Sequence, residues 1–186
     1  MPDLQSSRFD RARYSLGRNW VILLLGVICV VSQLTILAIV EPLDKFNVLR
    51  LQTAFSPEAF LAVKQSWVDA GVLDAYWRHF IFDFPHPLWY GLFFSACIAG
   101  ALNFSESPES YSFLIVLPAV AGGCDLVENS LHVAFLLEPR TIANPWIPIS
   151  GAFTHAKWFL LGLSILISLA LTIVGIRTRM VAKAGS

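Results

Sequence analysis

Apolar residues in this chain fall into four long blocks rather than short alternating runs. The blocks cover residues 19–40, 80–103, 111–137 and 150–176. Each approaches the roughly 20 mostly apolar residues that an α-helix needs to cross a bilayer. The expected fold is therefore all-α: one integral membrane domain over residues 1–186, built as a four-helix transmembrane bundle. The first block follows several arginines, as a secretory signal does. Its apolar run is too long for one, and no small-residue cleavage site precedes Glu41-Pro42. It reads as a retained span.

The stretch 41–79 is different. Ser56-Pro57-Glu58 has the form of a helix N-cap, a proline at the first helical position and an acid in the first turn. Phe60, Val63 and Trp67 follow at helical spacing, flanked by Leu61 and Val68, while Glu58, Gln65 and Asp69 take the opposite face. Gly71 is the expected stop, and a second short helix over 72–79 leads into span two. This amphipathic insertion either lies in the membrane interface or shields a site in the bundle. Pro85 and Pro87 predict a kinked or late start to span two. Gly122-Gly123 predicts close helix contact, and Trp20, Trp146 and Trp158 read as interfacial anchors.

Charge sets the expected orientation. Arg8, Arg11, Arg13 and Arg18 precede span one, and Arg177, Arg179 and Lys183 follow span four. The positive-inside tendency puts both termini in the cytoplasm, N-in and C-in, with the 41–79 insertion on the outer side. Two cytoplasmic ends require an even number of spans, as found. The 104–110 loop, cytoplasmic in this topology, has no Lys or Arg, and the long outer loop carries Lys45, Arg50, Lys64 and Arg78. The tails outweigh them.

Composition then narrows the classes. Of the 186 residues, 56% are hydrophobic and 14% charged, against about 25% charged in an ordinary soluble domain. Thirteen basic residues balance thirteen acidic ones, so no electrostatic case for a nucleic-acid partner exists. The expected partners are membrane lipid and a second copy of the chain or another membrane protein. Cys29, Cys97 and Cys124 are an odd set within apolar runs, so they predict no disulfide framework or cysteine zinc site.

Polar residues inside the apolar blocks gather in one layer. Asp83, His86 and Tyr90 share a helical face with His79. Asp125, Glu128, Asn129 and His132 form one stripe. Thr154, Lys157 and Trp158 share a face from which His155 is rotated. Asp125 lies about 21 Å along span three from Tyr111 at 1.5 Å per residue. The expected topology thus puts all three groups in the outer part of the bilayer, and Gln33 of span one reaches a similar depth. The rest of the bundle is nearly apolar.

Three carboxyls, Asp83, Asp125 and Glu128, face one lysine, Lys157. In a low dielectric at least one of them is expected to hold a proton at neutral pH. Together the four form a candidate proton-exchange or charge cluster suited to general acid and base work. Tyr90, Asn129, Thr154 and His155 are candidate ligand-binding residues. Glu128 and His132, four apart, offer the start of a site for zinc or a similar ion, which Lys157 disfavours. No other cofactor is implied. The structural alternative is a polar network tying helices together, at about 0.6–2 kcal/mol per interhelical hydrogen bond.

Two stretches are familiar as motifs. Residues 83–91 fit a D-x-x-x-P-x-x-Y-G pattern and residues 125–129 a D-x-x-E-N pattern. With Phe55-Ser56-Pro57-Glu58 and Thr154-x-x-Lys157, the region from about residue 52 to 165 resembles a family of uncharacterised four-span bacterial membrane proteins. The resemblance implies a bacterial inner-membrane location and draws attention to Asp83, Tyr90, Asp125, Glu128, Asn129 and Lys157; it implies no activity. The expected function is binding, extending to modification, of a lipid or small amphiphile in a polar pocket near the outer leaflet. The alternatives are a metal-dependent or acid/base intramembrane enzyme and a structural or assembly subunit.

Overall fold

A computed structural model describes residues 8–142 and 145–184. Among the described residues every regular element is helical, with no strand. Four stretches are long and apolar enough to cross a membrane: Asn19–Leu43, His86–Phe104, Glu109–Leu137 and Trp146–Ala184. The α-helices are α1 (Arg8–Leu16), α2 (Asn19–Val40), α3 (Lys45–Gln52), α4 (Pro57–Asp69), α5 (Leu73–Asp83), α6 (His86–Phe104), α7 (Leu117–Leu137) and α8 (Trp146–Ala184). A 3₁₀ helix, Glu109–Val116, leads into α7. The predicted third span is thus part 3₁₀, and the fourth extends beyond its predicted limits at both ends.

The bundle has two unlike ends. At the termini end, α1 lies against α6 and the turn that follows it. Arg13 is buried and donates to the Asn103 side chain (2.8 Å) and to the carbonyls of Leu102 (2.8 Å), Ser107 (3.0 Å) and Pro108 (3.3 Å). Of those acceptor carbonyls only that of Leu102 lies in α6, in its last turn, where it also accepts from the Ser107 amide at 3.1 Å. The sequence reading took Arg13 only as a charge in a tail; it is a structural clamp.

At the insertion end, α3, α4 and α5 cap the bundle. Ser56 Oγ accepts from the Ala59 amide at 3.2 Å, the expected N-cap. Glu58, fully exposed, has its carboxyl held below the ordinary range, first by its backbone amide and then by the Ser56 hydroxyl. Gly71 takes φ +69°, ending α4 in the left-handed region. Phe60, Val63 and Trp67 are buried as predicted, whereas Leu61 and Val68 are exposed. Phe60 meets His132 and Phe135 of α7 edge-on, so α4 closes this end of the bundle.

Span two starts late. Helix α5 runs to Asp83, and α6 begins at His86. Pro85 and Pro87 lack the amide hydrogens that would continue the ladder. Residues 80–83, predicted as part of the span, therefore belong to α5, and Asp83 stands at the helix junction. Gly122 approaches α6 closely: a Cβ there would lie 3.0 Å from the Pro87 carbonyl oxygen. Gly123, its predicted companion, faces open space.

The exterior is apolar. Leu23, Leu24, Val27, Val30, Val31 and Leu34 of α2 are exposed, as are Phe159, Leu166, Leu169 and Ile173 of α8. Four helices of this length with such faces turned outward are those of a membrane-spanning bundle. Residues 158–176 of α8 carry no charge and rise about 28 Å at 1.5 Å per residue, close to a hydrocarbon core. Lys157 and Arg177 bracket that run.

Gly151 of α8 seats the segment after α3: an added Cβ would meet the Ala54 carbonyl oxygen at 2.6 Å. Gly151→Ala is expected to lower stability by about 1–3 kcal/mol through overpacking. Gly123→Ala is expected to leave it unchanged or slightly higher. Thermal unfolding of the two detergent-purified variants checks the contrast.

Candidate functional site

Asp83, Tyr90, Asp125, Glu128, Asn129 and Lys157 meet where α5, α6, α7 and α8 come together. Lys157 Nζ donates to Asp125 Oδ1 at 2.7 Å and stands 2.7 Å from Glu128 Oε2. All three side chains are buried. The stripe spacing on α7 puts both carboxyls on the side facing α8, and one ammonium bridges them. Tyr90 Oη donates to Asp125 Oδ2 at 3.0 Å and to the Ala121 carbonyl at 3.3 Å, tying α6 into the cluster. Asn129 donates to the Asp83 backbone carbonyl at 3.4 Å, holding the α5–α6 junction against α7.

Asp83 belongs to a second group. His79 Nδ1 is hydrogen-bonded to the Tyr76 carbonyl, so that nitrogen carries the proton. Its Nε2 is then directed at Asp83 Oδ2, 3.6 Å away. The Tyr76 ring stacks on His79, and Tyr76 Oη shares a 2.6 Å hydrogen bond with His132 Nδ1. Tyr76 is a connection that the sequence reading missed. Its only signal was its position one turn before His79.

His79, Asp83, Tyr90, Asp125 and Lys157 border a cavity of about 700 Å³. One wall comes from α2 (Cys29, Val30, Gln33, Leu34, Leu37) and the facing wall from α8 (Trp158, Leu161, Gly162, Ile165). Phe93 and Phe94 of α6 form part of the back. Asp83, Asp125, Lys157, His79, His86 and Tyr90 supply its polar end. Helix α3 contributes Lys45, Val48, Leu49 and Gln52 at the same end. The amphipathic helix, for which the sequence allows an interfacial or a shielding place, is α4; it is α3 that borders the cavity, because α4 spends its apolar face on α5 and α7. Thr154 explains how α3 is held: its hydroxyl donates to the Gln52 carbonyl at 2.9 Å.

Three of the four candidate ligand-binding residues therefore act elsewhere. Thr154 is buried but lies outside the cavity lining. His155 is exposed on the far face of α8, bonded to the Gly151 carbonyl at 2.7 Å and packed on the Phe55 ring. Asn129 positions backbone and does not line the cavity either. Gln33 and His86 do line it, with His86 Nδ1 2.9 Å from Ser32 Oγ.

The geometry gives the metal reading no support. Among the described residues no group of three or more His, Cys, Asp or Glu side chains is arranged to hold an ion. Glu128 turns to Lys157 and His132 to Tyr76, so the two share a helix stripe without facing a common point. The three cysteines remain unpaired thiols.

No protein-family model matches this chain, and neither a curated protein nor a solved structure matches it. The motif resemblance therefore stands on its residues alone.

Removing one member of a buried ion group leaves the others uncompensated and costs about 3–5 kcal/mol. Lys157→Met is expected to destabilise the protein by that amount. Adding Glu128→Leu and Asp125→Asn to the same chain is expected to recover much of the loss. Unfolding of the single and triple variants in detergent checks this; a Lys157→Met variant as stable as the parent would remove the ammonium from its bridging role.

Proposed function

We propose that the protein binds an amphiphile in the cavity between α2 and α8, with the head group at the Asp83, Asp125 and Lys157 end. The observation that carries this reading is the cavity's two-part lining. Long apolar walls from α2 and α8 suit an alkyl chain, and ionisable groups gather at one end only. Ligand pockets are characteristically apolar with a few convergent polar groups. At about 700 Å³ the space has the size of a small-molecule site. Its walls belong to the two helices with the most exposed apolar surface, which suits entry of a chain from surrounding lipid.

In this reading the bundle lies with both termini in the cytoplasm. Support comes from Arg8, Arg11, Arg18, Arg177 and Arg179, which belong to the termini end. The polar end of the cavity then faces the outer leaflet, where Lys157 begins the uncharged 158–176 run at head-group level. The motifs at residues 83–91 and 125–129 support a bacterial inner membrane as its location.

Gly162 provides the test. It lines the cavity, and a Cβ there meets nothing within 4 Å, so a larger side chain enters the space without striking backbone. Gly123 is equally open but lies outside the cavity. Native mass spectrometry of detergent-purified protein is expected to show a retained amphiphile in the parent and in Gly123→Leu. It is expected to be lost from Gly162→Leu at unchanged helical content. A parent protein that carries no amphiphile, or a Gly162→Leu variant that keeps it, would overturn the reading.

A further inference from the structure

The charge balance at the polar end of the cavity specifies the head group. Three carboxyls meet there: Asp125, Glu128 and Asp83. One lysine ammonium meets them. Lys157 stands 2.7 Å from an oxygen of both Asp125 and Glu128, so its charge is already shared between two carboxylates. Asp83, 9% exposed and on the cavity wall, has His79 Nε2 at 3.6 Å as its nearest cationic candidate. The Nδ1 nitrogens of His86 and His132 are turned to Ser32 and Tyr76.

Fully ionised, the three carboxyls exceed the lysine by two negative charges, and buried charges require compensation. Glu128 is sealed from the cavity, so only a proton reaches it. Asp83 and Asp125 border the cavity, so a ligand cation reaches them as well. An anionic head group meets the opposite situation: Lys157 is already paired, and two carboxylates stand beside it. The exposed Lys45 of α3 also borders the cavity.

We infer that the cavity selects amphiphiles whose head group carries a protonated amine, seated against Asp83 and Asp125. The inference rests on the amphiphile reading above and adds the chemical class of the ligand. Asp83 acts as the selecting carboxylate, since Asp125 is already bonded by Lys157 and Tyr90. A primary ammonium offers three N–H donors to these carboxylate oxygens, and charge-assisted hydrogen bonds are the stronger kind.

Trp158, on the cavity wall, supplies the readout. Full-length protein in phosphatidylcholine nanodiscs is titrated with a long-chain alkylamine brominated on its chain, and separately with the alkyl sulfate of the same brominated chain. Trp158 also has an exposed face, so the quenching that disappears both in Trp158→Phe and in Gly162→Leu reports the cavity. The amine is expected to bind about tenfold or more tightly than the sulfate, a gap of about 1.4 kcal/mol. Asp83→Asn, which keeps the side chain's shape, is expected to narrow that gap to about threefold or less. Equal affinities in the parent protein, or tighter binding of the sulfate, would overturn the amine selectivity. If that binding is still blocked by Gly162→Leu, the amphiphile reading survives. Absence of this cavity quenching by either probe would overturn both. An unchanged gap in Asp83→Asn would remove Asp83 as the selecting group and overturn the inference as stated.

Discussion

The Lys157 ammonium, held between Asp125 and Glu128, is the contact on which the rest of the arrangement depends. Two carboxylates one helical turn apart on α7 would repel each other in an apolar interior. A single cation at 2.7 Å from each turns that repulsion into a bond between α7 and α8. Tyr90 extends the connection to α6 through the second Asp125 oxygen. Three spanning helices are thus fixed at one level by one charge. Buried ion groups of this kind contribute little net stability compared with apolar packing. What this one supplies is register: the helices cannot slide past one another without uncovering a charge.

Helix α2 has no part in that network. It meets α6 by apolar contact, with Gly26 beside Phe93 and Gly100 beside Ile22, and by the single hydrogen bond between Ser32 and His86. Among the described residues no salt bridge draws it to α8. The cavity lies in the space left between them. Helix α3 then closes the insertion end of that space, pinned by the Thr154 hydroxyl and seated on Gly151. The polar cluster and the cavity are therefore two results of one asymmetry: three helices joined by charge, and a fourth held by apolar packing and the neutral Ser32–His86 hydrogen bond.

At the opposite end the constraint is different. Arg13 donates to carbonyls in the last turn of α6 and in the turn that follows it, and α1 is held across that end of the bundle. Between Arg13 and Lys157 the interior is nearly all apolar, with Ile98, Ala99, Leu102 and Ile115 forming one of its packed clusters. The acidic and basic side chains that border the cavity are confined to the insertion end.

The sequence by itself determined the class of fold, the four apolar helices and the layer in which Asp83, Asp125, Glu128 and Lys157 meet. Those features depend on local periodicity and on the length of apolar runs. It also determined the Ser56 cap, the Gly71 stop and the interruption at Pro85 and Pro87, because each is a property of a few neighbouring residues. Tertiary structure alone decided the partners. That Lys157 bridges two carboxyls while Asp83 turns to His79 depends on how α5, α7 and α8 face one another. That Thr154 and His155 leave the cavity to Gln33, His86 and Gln52 depends on rotations of whole helices, which no local pattern encodes. Helix α3 and the gap between α2 and α8 were illegible for the same reason: a space between elements is set by their packing, not by the residues of any one of them.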